Sequence, residues 1–117
     1  MHRYIDSYVH NGRIGVLVEL ATSDDFTART EEFAALARDL AIHIAAMDPI
    51  GISEVALESL QRAWPHARPV RADSLLMSQR FVRSDTLTVG QHIRRKEREL
   101  GSQITVRRFM RWTCDNS

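Results

Sequence analysis

A single cysteine, Cys114, stands in the whole sequence. That excludes an intramolecular disulfide framework and a zinc site built on several cysteines. The expected setting is therefore reducing and cytoplasmic. Lysine is as scarce: fifteen of the sixteen cations are arginine, and Lys96 is the exception. No window approaches the ~20 consecutive apolar residues of a membrane span, and Met1-His2-Arg3-Tyr4 does not read as a signal peptide. The five glycines (Gly12, Gly15, Gly51, Gly90, Gly101) are scattered, with neither Walker nor G-x-G-x-x-G spacing. The histidines His2, His10, His43, His66 and His92 lack paired ligand spacing. No cofactor and no metal are expected. There is no internal repeat and no low-complexity segment.

What is present fits one soluble domain over residues 1–117: 44% of the residues are apolar and 26% charged. A chain of this size buries roughly two thirds of its unfolded surface, enough for a core without staples. Charge is divided unevenly. Residues 1–58 carry four Lys/Arg against ten Asp/Glu, and residues 59–117 carry twelve against five. Such polarity either steers a charged partner or is neutralised between the halves in the fold. The overall balance argues against a dedicated nucleic-acid surface.

Two β-rich runs, Tyr4–Val9 and Ile14–Leu20, flank His10-Asn11-Gly12-Arg13. Asn-Gly supplies the two positive-φ residues of a type I′ turn, so a hairpin is predicted. In the second strand Ile14, Val16, Val18 and Leu20 form a core face, with Gly15, Leu17 and Glu19 opposite. A helix is predicted from Thr30, with Phe33, Leu36, Ala37, Leu40, Ile44 and Met47 at three- and four-residue spacings, ending at Asp48-Pro49. A poorer helix follows from about Ser53 to Trp64, then a loop over 65–73, then a possible short strand within 74–82. Thr88-Val89-Gly90-Gln91 reads as a capping box and Gly101 as a helix stop, placing a helix over Val89–Leu100. Ile104–Trp112 alternates as a strand, and Thr113–Ser117 reads as a frayed polar tail. The expected class is α+β: an antiparallel sheet of three to four strands with helices packed on one face.

Chemistry-bearing residues are few. Asp24-Asp25 is either a carboxylate pair for acid–base work or a helix cap. Cys114 reads as incidental rather than nucleophilic. Arg94-Arg95-Lys96-Glu97-Arg98-Glu99 reads as a solvated helix face. Phe26, behind two aspartates, is either an exposed interface anchor or a ring folded under the helix. His43, four residues after Asp39, either bonds along the helix surface or contacts a partner.

In series these segments resemble the core (dimerisation) domain of the bacterial elongation factor Ts family. The resemblance runs through Tyr8-Val9-His10-Asn11-Gly12-Arg13-Ile14-Gly15-Val16-Leu17-Val18-Glu19-Leu20, Asp25–Phe33, Leu40–Pro49, Gln79-Arg80-Phe81-Val82, Thr88-Val89-Gly90 and Ile104–Trp112. It covers most of the chain outside about 51–74. It implies binding of elongation factor Tu and faster release of its GDP, with no catalytic residue. The family's Thr-Asp-Phe motif, whose ring inserts into the GTPase, reads Asp24-Asp25-Phe26 here. The resemblance carries partner contact to Asp25, Phe26, Ile14, Gly15 and His43, and implies a two-fold homodimer, with no membrane and no nucleic acid as partners. This sequence departs from the family in reading Ala21-Thr22-Ser23-Asp24-Asp25 for Asn-Cys-Glu-Thr-Asp. Its segment after Pro49 is shorter than the family's, and a member without the ubiquitin-associated-like N-terminal domain is expected. The expectation is a divergent member. The alternative is a repurposed domain acting on a small molecule through Asp24, Asp25, His43, Arg107 or Arg108.

Overall fold

The computed structural model describes residues 1–53, 58, 61–66 and 71–114. Strands β1 (His2–His10), β2 (Ile14–Thr22) and β3 (Ile104–Thr113) form one antiparallel sheet in the order β1-β2-β3. The hairpin turn has positive φ at both Asn11 (52°) and Gly12 (67°). The Arg13 N–H closes it on the His10 carbonyl at 2.9 Å. Three residues bridge the strands instead of two, because His10 pairs with Ile14. Helices α1 (Asp25–Ala28), α2 (Glu31–Met47) and α3 (Val89–Leu100) complete the α+β fold. Among the described residues no helix is long and apolar enough to cross a membrane.

Helix α2 lies over the sheet, and its capping follows from sequence. The Thr30 hydroxyl accepts from the Phe33 N–H, and Glu31 and Glu32 occupy the first turn, where the helix dipole favours anions. Phe33, Leu36, Leu40 and Ile44 are buried against Val16, Val18, Leu20, Ile104 and Val106. Each such side chain contributes about 1.5–3 kcal/mol on burial. Met47, the last member of the expected stripe, is exposed instead. The helix stops at Asp48 as expected, but through a left-handed residue (φ 45°) rather than an extended one. Asp tolerates that conformation better than most non-glycine residues.

Arg111 ties this end of α2 to β3. Its guanidinium donates to the Ala45 carbonyl from Nε at 3.3 Å and Nη2 at 3.0 Å, and pairs with Asp48 at 3.4 Å. The Ala45 carbonyl is one of the last four of α2, which the helix itself leaves unpaired. Arg111→Ala is therefore expected to cost about 1.5–3 kcal/mol of stability, the range for hydrogen bonds to charged groups. Chemical denaturation checks this, and Arg111→Lys should recover only part, because it lacks the two-pronged donor.

The possible strand within 74–82 does not form. That stretch makes 3₁₀ turns at Ala72–Ser74 and Leu76–Ser78, with only isolated bridges, Gly51 to Leu75 and Arg80 to Thr88. The sheet therefore has three strands. Helix α3 begins and ends as expected, with a complete Thr88/Gln91 capping box and Gly101 at φ 67°. Gly90 packs closely: a Cβ there would sit 3.0 Å from the Met77 carbonyl oxygen, tighter than ordinary contact. Of the helix expected over Ser53–Trp64, residues 58 and 61–63 are helical, and 54–57 and 59–60 lie outside the described residues. The tail is not free at its start. Thr113 remains in β3, and the Cys114 N–H bonds the Arg13 carbonyl at 2.9 Å, while 115–117 lie outside the described residues.

Strict alternation in β3 fails at one place. Glu19 pairs with Arg108 but Leu20 pairs with Val106, so Arg107 is the extra residue of a β-bulge. The phase of β3 reverses there. Ile104, Val106, Phe109 and Arg111 face the helices, and Arg108, Met110 and Trp112 face the other way.

Candidate functional site

The segment joining β2 to α2 is held at both ends. At its start the Thr22 and Ser23 hydroxyls meet the Ser102 hydroxyl at 2.7 and 3.0 Å, fastening it to the turn after α3. Asp24 then caps α1: its carboxylate accepts from the Thr27 N–H at 3.2 Å and the Thr27 hydroxyl at 3.0 Å. Those bonds, the hydroxyl foremost, hold the Asp24 carboxyl below its ordinary value. At the far end the Thr30 hydroxyl donates to the Thr27 carbonyl at 2.8 Å, chaining α1 to the cap of α2. Asp24 is thus a cap and not half of a catalytic pair. A threonine would suit the same cap, so the departure at this position preserves the local chemistry.

Between those fastenings Phe26 projects outward, 77% exposed. The ring is not folded under the helix. Asp25 beside it pairs with Arg29 at 3.1 Å and approaches His2 of β1 at 3.5 Å, both on the surface. A single helical turn, tied down fore and aft, therefore presents one large aromatic ring with charge around it.

The other expected contact residues lie elsewhere. Ile14 and Gly15 sit at the opposite end of β2, about 25 Å away at ~3.3 Å per residue. Ile14 packs on the core and Gly15 opens on the outer face, with nothing within 4 Å of where a Cβ would be. His43 is fully buried, so a direct partner contact is not available to it. Its Nε2 lies 2.9 Å from Gln79 Oε1, and its Nδ1 accepts from the Val82 N–H at 3.2 Å. That pattern assigns the neutral ring with the proton on Nε2. Burial lowers its pKa, with the Gln79 bond opposing. Asp39 does not bond His43 either; it pairs with Arg83 at 2.9 Å.

The sheet face without helices supplies residues that the sequence reading only half anticipated. Ile5, Val9, Leu17 (51% exposed), Met110 and Trp112 (71% exposed) form an apolar patch there. At its end beside Ile5, Glu19 is covered by Arg108, Nε to Oε1 2.9 Å. The depression among Ile5, Leu17, Glu19, Arg108 and Met110 measures about 160 Å³, small against the ~300–1,000 Å³ of small-molecule sites. The residues of a repurposed reading do not converge: Asp24 and Asp25 lie on α1, His43 in the core, and Arg107 and Arg108 on β3.

Comparison with known proteins bears on the same segments. Residues 1–63, which include the hairpin, α1 and α2, match the protein family described as Elongation factor TS. The chain is 32% identical to Elongation factor Ts of Rubrobacter xylanophilus, covering 92% of this chain and 68% of that protein. The chain belongs to the elongation factor Ts family. Elongation factor Ts of Solibacter usitatus is 35% identical over 92% of this chain and 63% of its own length. That of Koribacter versatilis is 34% identical over 91% and 60%. The chain thus spans about three fifths of the length of several elongation factor Ts relatives. The Solibacter alignment runs over 133 residues while covering 92% of this chain. The relative therefore carries stretches with no counterpart here, as expected for a divergent member of the family.

Proposed function

We propose that this chain binds elongation factor Tu in the cytoplasm and promotes release of its GDP. The observation that carries the reading is Phe26, a large ring held in solvent by a capped turn whose Asp25-Phe26 pair matches the family's inserting motif. A monomeric protein gains little from such exposure, whereas an aromatic wedge at an interface centre is a common energetic anchor. Insertion favours a nucleotide-free conformation of the GTPase, and by linkage that conformation binds this chain more tightly. Asp25 positions the turn. Ile14 and Gly15, at the far end of β2, belong to a second contact region, and His43 acts from behind the surface through Gln79 and Val82.

The reading includes a homodimer in which the apolar sheet faces of two copies pack together. Two-fold symmetry makes such a contact self-complementary and covers Leu17, Met110 and Trp112 in both copies. It also brings two Phe26 wedges into one assembly.

Stopped-flow release of a fluorescent GDP analogue tests the activity. Adding the chain to elongation factor Tu of the same organism should raise the release rate to a plateau as its concentration increases. Unchanged release at saturating protein, with no complex detected, would overturn the proposal.

A further inference from the structure

We propose that His43 is a proton-operated latch that holds the Gln79–Leu87 loop against α2 when neutral and lets it go when charged. The inference is independent of the partner reading. The loop is a closed unit: the Phe81 N–H bonds the Leu87 carbonyl, and the Val89 N–H bonds the Gln79 carbonyl, each at 2.9 Å. The Ser84 hydroxyl accepts from the Leu87 N–H at 3.0 Å inside it. His43 reaches this unit twice, through the Gln79 side chain and the Val82 N–H. Besides these, Gln79 Nε2 approaches the Met47 carbonyl at 3.4 Å, and Arg83 meets Asp39 on the surface.

The device depends on the two ring nitrogens having opposite roles. Nε2–H donates to Gln79 whether the ring is neutral or charged. Nδ1 is an acceptor only while it is unprotonated. A second proton would place an N–H against the Val82 N–H inside the core, and the bond would be lost. Among the described residues no carboxylate bonds the ring to offset that charge. Asp39, one turn earlier on α2, is engaged by Arg83. Asp48 at the end of α2 is engaged by Arg111. From α3, His92 lies across Phe81 from His43, with Lys96, Asp39, Glu99 and Arg95 acting on it.

Burial lowers the pKa of His43 in the closed state below its ordinary 6.5. The released ring binds a proton more readily than the latched one. Closure is therefore fully favoured above about pH 6.5 and weakens as pH falls from there through the depressed value. His92 stacks on the far side of Phe81 at 4.4 Å, and burial lowers its pKa as well, so its proton also opposes closure. The bonds to Gln79 and Val82 belong to His43, so a Val82 response carried by His92 would survive in His43→Gln.

Amide hydrogen exchange by NMR, from about pH 7.5 down to about pH 5.5, tests the latch on the whole chain. After correction for the intrinsic exchange rate, Val82 should lose protection at least ~10-fold more than Leu20 in the central strand. In His43→Gln the Val82 amide should exchange faster at neutral pH, and its protection should no longer change with pH. Nitrogen shifts of the His43 ring in the unmodified chain give a reading that needs no variant. They should show the Nε2–H tautomer at neutral pH and protonation in step with the Val82 change. Constant Val82 protection, equal losses at Val82 and Leu20, or a wild-type pH profile in His43→Gln would each overturn the proposal.

Discussion

Truncating Phe26 to alanine is expected to leave the melting temperature almost unchanged and to weaken binding of elongation factor Tu about 30-fold or more. The two halves of that result have separate causes. Phe26 is 77% exposed in the chain, and a surface substitution away from caps and core usually stays within about 0.5 kcal/mol of stability. The cap of α1 is Asp24, bonded to Thr27, so losing the ring leaves the turn's fastenings in place. An aromatic anchor at an interface centre, in contrast, is worth about 2 kcal/mol or more on truncation. Phe33 shows the other regime: it is fully buried, with its ring edge-on to Tyr4. A Phe26→Ala melt that fell as far as a core truncation, ~3–5 kcal/mol, would contradict the wedge. Asp25→Ala should weaken binding in the same direction but less, because its exposed pair with Arg29 contributes little. Calorimetric melting and titration against elongation factor Tu measure both halves.

Leu17→Asp should convert a dimer into a monomer. Leu17 sits on the central strand, between Ser7 of β1 and Met110 of β3, in the middle of the helix-free face. A carboxylate buried there without a partner costs about 3–5 kcal/mol. The dissociation constant would then rise by more than about 100-fold. Within a single chain the same residue is half exposed, so each monomer should keep its fold. Light scattering at tens of micromolar (on the order of usual interface affinities) should give twice the chain mass for the unmodified protein and one chain mass for the variant. A monomeric mass for the unmodified chain would remove the dimer from the proposal.

Much of the architecture was legible because local signals coincide with tertiary demand. Asn11-Gly12 has the positive φ values that its turn needs, and the Thr88/Gln91 box and Gly101 bound α3 at the residues where the chain stops being helical. Helix α2 was readable from Phe33, Leu36, Leu40 and Ile44 because one face of it packs on the sheet. The candidate site was legible at Asp25 and Phe26 through resemblance, but whether that ring lay inside or outside was open. The Asp24 cap of α1 was open to a local reading, but the distant fastening of the segment was not. Ser102, some eighty residues away, anchors the segment through Thr22 and Ser23.

Sequence alone determined the hairpin, the two long helices, their caps and the family, because turn residues, capping boxes and apolar periods act over a few residues. Tertiary structure decided the rest. Within 74–82 a short apolar run had no free strand edge assigned to it by its own residues, and it became 3₁₀ turns packed under Gly90. The bulge at Arg107 turned Trp112 and Met110 outward and Phe109 and Arg111 inward, against simple alternation. His43 lay on the flank of a helical stripe by its spacing alone. The Gln79–Val82 segment closed over it and changed a surface position into a buried one. In each case the deciding partner is distant along the chain, and only the folded backbone brings it within hydrogen-bond or packing distance.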